Sequence, residues 1–350
     1  MGLAGKWRGS LACLAVLAAL VSVAPAIAGQ PGEGPLKVFI LSGQSNMEGH
    51  AAANTLAYLG EDPKYGKLLE KVQNKDGSFV VRDDVWVCYP NRPEERVPGA
   101  GDGRGNLQPG FGAWRGDKVC MKECNVGKSF GPELGFGIVM GDHLKNQVLL
   151  IKIAWGGKSL VKDFRPPSSG GEVGPFYTQL VEGVQDTLKN LKTLFPAYDE
   201  AKGYELAGLL WFQGWNDLVN PKAVAEYEPN LANLIKDLRK ALNAPNLPAV
   251  IGELGVGGPE AKGNMLAMRT AQQAAAERPE FQGTVRFVKT ALYWDFEAEK
   301  MANENVWKGP DKAKFYRIAS ERGYHYLGSG KIMFLMGHAF GEGMIELLKK

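Results

Sequence analysis

Short, uninterrupted apolar runs alternate along this chain with longer stretches in which apolar and polar positions recur at helical spacing. Lys37–Leu41 (KVFIL), Val148–Ala154 (VLLIKIA), Leu206–Phe212 (LAGLLWF) and Pro248–Glu253 (PAVIGE) are rich in aliphatic residues and end at glycine or a polar turn. Each is too short for a globular helix, so the pattern predicts strands buried on both faces. Pro132–His143, Tyr177–Leu194, Ala223–Leu242 and Glu260–Ala276 carry helical periodicity, and Ser329–Leu348 makes a final helix. Apolar strands that alternate with helices predict an α/β fold with a parallel sheet covered on both faces. In such a sheet, the groups that do chemistry gather at the carboxyl ends of the strands.

Two stretches break this alternation. The segment from about Glu48 to Phe130 holds a hairpin signal, Asn74-Lys75-Asp76-Gly77 before Phe79-Val80-Val81, and then the Gly/Pro-rich stretch Asn91–Gly112. It reads as an insertion into one domain running from residue 29 to 350. Its Gly101–Gly105 run (GDGRG) does not sit between a strand and a helix, which argues for a loop over a phosphate cradle. The first 28 residues have the other anomalous pattern: Lys6 and Arg8 precede the apolar stretch Leu11–Val23, and Ala26-Ile27-Ala28 follows. This is the pattern of a cleaved signal peptide, and the apolar part is too short to span a bilayer. The expectation is a mature protein that is secreted or periplasmic and holds no membrane.

Composition narrows the partners. With 45% hydrophobic and 23% charged residues the chain can bury a large core. Its net charge of +3 loses two positive charges with the signal segment, and no long basic run remains. A nucleic acid is therefore a poor partner. Cys13 leaves with the signal, and Cys88, Cys120 and Cys124 stay. Export permits a disulfide, for which Cys120 and Cys124 are the nearest pair, although the odd count leaves one thiol over. Their spacing has no neighbouring histidine or second cysteine pair to complete a zinc site.

Three strand ends carry candidate chemistry. KVFIL runs into Ser42-Gly43-Gln44-Ser45-Asn46-Met47, a glycine-containing turn from which the Ser45 hydroxyl can project over the sheet edge. VLLIKIA runs into Trp155-Gly156-Gly157, where adjacent glycines can expose an amide to a substrate. LLWF runs into Gln213-Gly214-Trp215-Asn216-Asp217, whose amides can donate to an oxyanion. A general base must come from His50, His143, His325 or His338. His143 and His338 fall in predicted helices, and His50 starts the loop insertion. His325 lies in the glycine-flanked segment Arg322–Gly330 before the last helix, a loop position suited to a base.

Together these blocks resemble the SGNH-hydrolase superfamily, in its branch of carbohydrate acetylesterases that includes sialate O-acetylesterases and acetylxylan esterases. The resemblance runs from Val38 to the last helix, and Gly43-Gln44-Ser45-Asn46-Met47 is its most specific part. It implies a three-layer α/β/α flavodoxin-like sandwich around a central parallel sheet, and an esterase that needs no metal or organic cofactor. Ser45 corresponds to the nucleophile and His325 to the base. The Ser45 and Gly157 amides and the Asn216 side chain correspond to the oxyanion hole. The implied substrate is an acetylated carbohydrate. The sequence departs from the branch at two places. Trp215 stands where glutamate is usual, so Gln213 can share the role of Asn216. Arg322 stands where the acid is usual, three residues before the histidine. Glu321 is the nearest acid, with Asp217, Asp295, Asp311 or a backbone carbonyl as the other partners for His325. Rival readings are an esterase for a non-carbohydrate acyl group and an inactive carbohydrate-binding homologue. Trp86, Tyr89 and Trp114 of the insertion offer faces for sugar rings.

Overall fold

The computed structural model describes residues 32–91, 103–113, 128–321 and 323–349. The signal segment, Cys120, Cys124, Trp114 and Arg322 lie outside the described residues.

In chain order the strands are β1 (Leu36–Gly43), β2 (Ala51–Ala52), β3 (Arg82–Cys88), β4 (Arg104–Leu107), β5 (Ser129–Phe130), β6 (Val148–Ala154), β7 (Tyr204–Phe212), β8 (Ala249–Gly252) and β9 (Val285–Val288). The main helices are α1 (Ser45–Glu48), α2 (Glu133–His143), α3 (Pro175–Lys189), α4 (Pro221–Ala241), α5 (Gly263–Ala276) and α6 (Gly330–Leu348). Seven strands form one sheet in the order β4-β3-β6-β1-β7-β8-β9. All neighbours pair in parallel except β3 and β4. From β1 the chain builds outward first through β3 and β6, then crosses to build β7, β8 and β9 on the other side. The strand order therefore reverses at β1, and a crevice at the carboxyl end of such a reversal is where α/β sheets bind ligands.

Both sheet faces are covered. Phe39, Leu41, Leu150 and Phe212 pack into one apolar cluster with residues of α2 and α6. Val38, Ile40, Ile151 and Trp211 point the other way, into a second cluster with residues of α3, α4 and α5. Successive side chains of one strand thus feed opposite cores, which is why these strands are apolar throughout instead of alternating.

The insertion is more integrated than its loop-like sequence suggests. It supplies β3 and β4 to the sheet's edge, and the end of the glycine-rich run, Arg104 and Gly105, belongs to β4. The turn at Asn74–Gly77 forms, but only an isolated bridge between Gln73 and Phe79 follows it. The helix expected over Tyr177–Leu194 breaks at Asn190 into α3 and a short Leu191–Leu194 turn. Strand β9 and the helices Phe296–Asn303 and Lys312–Ile318 have no counterpart in the sequence reading.

Candidate active site

The strand register sets the site. Gly43 of β1 lies opposite Ala154 of β6 on one side and Phe212 of β7 on the other, so three strands end level. The residues that follow each of them, Gln44-Ser45, Trp155-Gly156-Gly157 and Gln213–Asn216, therefore leave the same sheet edge. Glycine is required at position 43, because a Cβ there would lie 2.0 Å from the Phe212 carbonyl oxygen.

Ser45 begins α1 directly after the extended residue Gln44. Its two neighbours tie it to the other loops. The Gln44 carbonyl oxygen of the side chain accepts from the Gly214 and Asn216 amides at 3.1 and 3.3 Å, and its Nε2 donates to Asn216 Oδ1 at 3.1 Å. Asn46 Nδ2 donates to the Tyr324 carbonyl at 3.2 Å. Behind them the buried Lys152 ammonium donates to the Glu48 carbonyl (2.7 Å), the Phe111 carbonyl (2.9 Å) and the Glu133 carboxylate (2.7 Å). Neither side chain of the Lys152–Glu133 pair is exposed. The sequence reading missed Gln44 and Lys152. A polar residue inside an otherwise aliphatic strand was the available signal for Lys152.

The histidine arrives on a separate loop. Ser320 and Glu321 amides both donate to the Leu327 carbonyl, at 2.8 and 2.9 Å, which brings the two ends of this loop together. Tyr326 and Leu327 adopt left-handed conformations, with φ of 52° and 59°. That strain is offset by the complete burial of the Tyr326 ring, whose hydroxyl accepts from the Gly255 amide at 2.8 Å. Within the turn His325 Nδ1 lies 2.6 Å from Glu321 Oε1. The other carboxylate oxygen, Oε2, lies 3.2 Å from His50 Nδ1. The two imidazoles stack, with ring centroids 3.8 Å apart and planes 21° from parallel. The expectation that His50 merely starts a loop is corrected: it is buried in this cluster.

The electrostatics follow from these contacts. Burial opposes ionisation of Glu321, but hydrogen bonds and charges from His325 and His50 outweigh it and hold its carboxyl down at about 2. Burial also works against protonation of His50, yet its bonds to Glu321 and Glu48 leave its pKa raised. His325 is lowered, by burial first and by the His50 charge as well, against the pull of Glu321.

Ser45, His325, Gly157 and Asn216 line one cavity of about 370 Å³, together with Glu48, His50, Gly156, Trp215 and Tyr324. Among the described residues no hydrogen bond joins Ser45 Oγ to His325, and the backbone amides of Ser45 and Gly157 donate to no internal acceptor. Asn216 Nδ2 donates to the Gly157 carbonyl at 2.8 Å, which leaves its second N–H uncommitted. A larger recess of about 850 Å³ adjoins along His50, Tyr324 and His325, and reaches Trp307 and Lys308.

Several candidates lie elsewhere. Gln213 is not brought to the cavity: its Nε2 donates to Asp217 (2.7 Å) and the Lys158 carbonyl (3.0 Å), and its Oε1 accepts from Tyr227 (2.9 Å). Asp217 receives the Leu160 and Val161 amides at 2.8 and 2.9 Å, and so fastens the loop after β6 instead of facing a histidine. Asp295 caps the Phe296–Asn303 helix and pairs with Lys331, while Asp311 pairs with Lys314. Tyr89 is fully buried and offers no face to a sugar, while Trp86 is half-buried against Phe195 and lines neither cavity. The aromatic residues at the cavity are Trp215 and Tyr324, with ring centroids 6.1 Å apart. His50, Glu321 and His325 present three donor atoms within 4.8 Å of one another. The 2.6 Å contact between His325 Nδ1 and Glu321 Oε1 is a direct hydrogen bond, shorter than the separation of about 3.3 Å that two ligands of one tetrahedral cation would keep.

The model of a family described as carbohydrate esterase, sialic acid-specific acetylesterase, matches residues 115–291, just over half of the chain. That span contains Gly157 and Asn216, while Ser45 and His325 flank it. The probable carbohydrate esterase At4g34215 of Arabidopsis thaliana is 24% identical over 229 residues, covering 64% of this chain and 71% of the relative. The crystal structure of the Arabidopsis thaliana protein AT4G34215 aligns with 89% of this chain and 98% of its own, at 17% identity and a TM-score of 0.53. The crystal structure of NanS aligns with 91% and 99% respectively, at 12% identity and a TM-score of 0.53. At such identities the two structures speak for the fold alone. The family match, over more than half of the chain, places the protein in the family described as carbohydrate esterase, sialic acid-specific acetylesterase, whose members hydrolyse carboxylic esters.

Proposed function

We propose that this protein is an exported serine esterase of a single domain, residues 29–350, that removes O-acetyl groups from a carbohydrate through an acetyl-enzyme on Ser45. The observation that carries the reading is the His325–Glu321 contact of 2.6 Å beside a cavity that His325 shares with Ser45. With Nδ1–H held by Glu321, the Nε2 lone pair of His325 is left to take the Ser45 hydroxyl proton. The Ser45 oxygen then attacks the acetyl carbonyl. The amides of Ser45 and Gly157 and the uncommitted N–H of Asn216 receive the oxyanion. The sugar hydroxyl departs with the proton from Nε2, and water repeats the sequence on the acetyl-enzyme.

The cavity of about 370 Å³ has room for an acetyl group with part of the sugar that bears it, and the adjoining recess gives the rest of the carbohydrate room. Sialic acid is the substrate class that the family's description favours. Export rests on the N-terminal pattern of basic, apolar and small residues. No helix among the described residues is long and apolar enough to cross a membrane. The test is hydrolysis of p-nitrophenyl acetate by the wild type and by Ser45→Ala, followed by acetate release from a panel of acetylated glycans. A glycan panel that yields no acetate from an enzyme active on the aryl ester would turn the reading towards a non-carbohydrate ester.

A further inference from the structure

We infer that His50 is a positioning residue for this reaction, a second imidazole that holds the far oxygen of Glu321 and fixes the acid–base pair against the nucleophile segment. The inference rests on the proposed roles of Ser45, Glu321 and His325.

The placement of His50 carries the argument. It lies five residues after Ser45, between the end of α1 and β2. That stretch is held rigidly: the Gly49 amide donates to the Ser45 carbonyl at 3.0 Å, the Gly49 carbonyl accepts from Ala113 at 3.0 Å, and β2 pairs with β5. Glu321 and His325 belong to a loop some 270 residues further along the chain. Each side chain of the pair can turn about several bonds, so the loop needs a fixed reference near Ser45. His50 supplies it twice, through Nδ1 to Glu321 Oε2 at 3.2 Å and through its face against the His325 ring. The carboxylate is thereby held at both oxygens and the catalytic ring on one face. A histidine that only filled the core would need neither contact.

The charged and titratable groups facing His50 are Glu48 from its own segment, with carboxylate oxygen 3.8 Å from Nε2, and Glu321 and His325 from the loop opposite. The Lys152–Glu133 pair stands behind the Glu48 backbone carbonyl. Two carboxylates against one buried ring favour the imidazolium, in keeping with its raised pKa. Its positive charge then opposes protonation of the His325 ring stacked on it. His50 so keeps the base in its neutral form to lower pH.

The experiment compares His50→Gln with the wild type on p-nitrophenyl acetate across pH, with Ser45→Ala as reference. Glutamine can still donate to Glu321 but carries no charge and no ring. The expected result is a kcat lower by roughly tenfold to a hundredfold, with KM little changed. The acidic limb of the kcat/KM profile should move to higher pH, because the charge that opposed His325 protonation is gone. A packing role would lower thermal stability without moving that limb. A folded His50→Gln protein with wild-type kcat and an unmoved limb overturns the inference, and if Ser45→Ala is inactive in the same assay the reading of the site survives. Activity retained by Ser45→Ala would instead remove the reading on which the inference stands. The wild-type protein provides a second test that needs no variant, an imidazole nitrogen spectrum. Hydrogen-bonded Nδ1–H signals from both His50 and His325 are expected, and a His50 ring protonated at Nε2 alone overturns the inference.

Discussion

Glu321 and His325 stand four residues apart in the chain, and their side chains meet at 2.6 Å across a closed turn. The turn makes that spacing work, since the chain doubles back and returns the ring to the carboxylate. With its carboxyl held at about 2, Glu321 stays charged throughout the range in which an esterase works. His325 is lowered from its ordinary value, and a base must be neutral to act. The acidic limb of kcat/KM should therefore have its midpoint below about 6.5. In Glu321→Gln the carboxylate that favours the imidazolium is lost, so the limb should move further down in pH. The kcat should fall by about 10²-fold or more, because the ring loses the partner that sets its tautomer. Wild-type kcat and pH profile in a folded Glu321→Gln protein would remove Glu321 from the proposed triad.

Ser45→Ala removes the proposed attacking oxygen and nothing that the fold depends on, since among the described residues the Ser45 hydroxyl makes no hydrogen bond. Activity should drop on the order of 10³-fold or more, with an unchanged melting temperature. Retention of more than about a tenth of the activity would exclude Ser45 as nucleophile.

Asn216 and Gln213 are separable by opposite signatures. Asn216→Ala takes a donor from the cavity and should cost about 10²- to 10³-fold in kcat with little change in KM. Gln213→Ala strips hydrogen bonds from buried Asp217 and Tyr227, and should cost about 1–3 kcal/mol of stability, read by chemical denaturation. If Gln213→Ala instead lowers kcat at full stability, the oxyanion donor has been assigned to the wrong side chain.

Lys152 provides a test of the scaffold. Replacing it with Met leaves the Glu133 carboxylate buried without its cation and two carbonyls without a donor. Breaking such a pair from one side costs about 3–5 kcal/mol, which denaturation in urea would register as a lower midpoint at similar slope. A double substitution, Lys152→Met with Glu133→Gln, should recover part of that loss. No loss in the single variant would mean that the pair is not the anchor described above.

The sheet was legible in the chain because its central strands are buried on both faces and leave continuous apolar runs. Val148–Ala154 was read to the residue. Strands away from the centre are not legible: Arg82–Cys88, second from one edge, opens with Arg-Asp-Asp, and Val285–Val288, at the other edge, is four residues long and partly exposed. Ser45, Gly157 and Asn216 announced themselves by following strand ends, a local signal. His50 and Gln44 did not, because their meaning lies in contacts made across the whole chain, which no spacing encodes. Glu321 is one acid among several in the sequence for the same reason: the left-handed residues Tyr326 and Leu327 belong to the turn that brings it back to the ring.

That turn has a further consequence, for how the protein fails on heating. Two consecutive non-glycine residues in left-handed conformations store about 1–3 kcal/mol each, and they sit in a part of the site that does not follow a strand of the main sheet. The loop is loaded like a latch, with the Tyr326 side chain as its catch. On warming it should release before the strands separate, and the enzyme should then be idle while still folded. Activity measured at temperature would be lost several degrees below the far-ultraviolet melting transition and would return in full on cooling. If loss of activity and loss of secondary structure coincide, the latch is no weaker than the sheet.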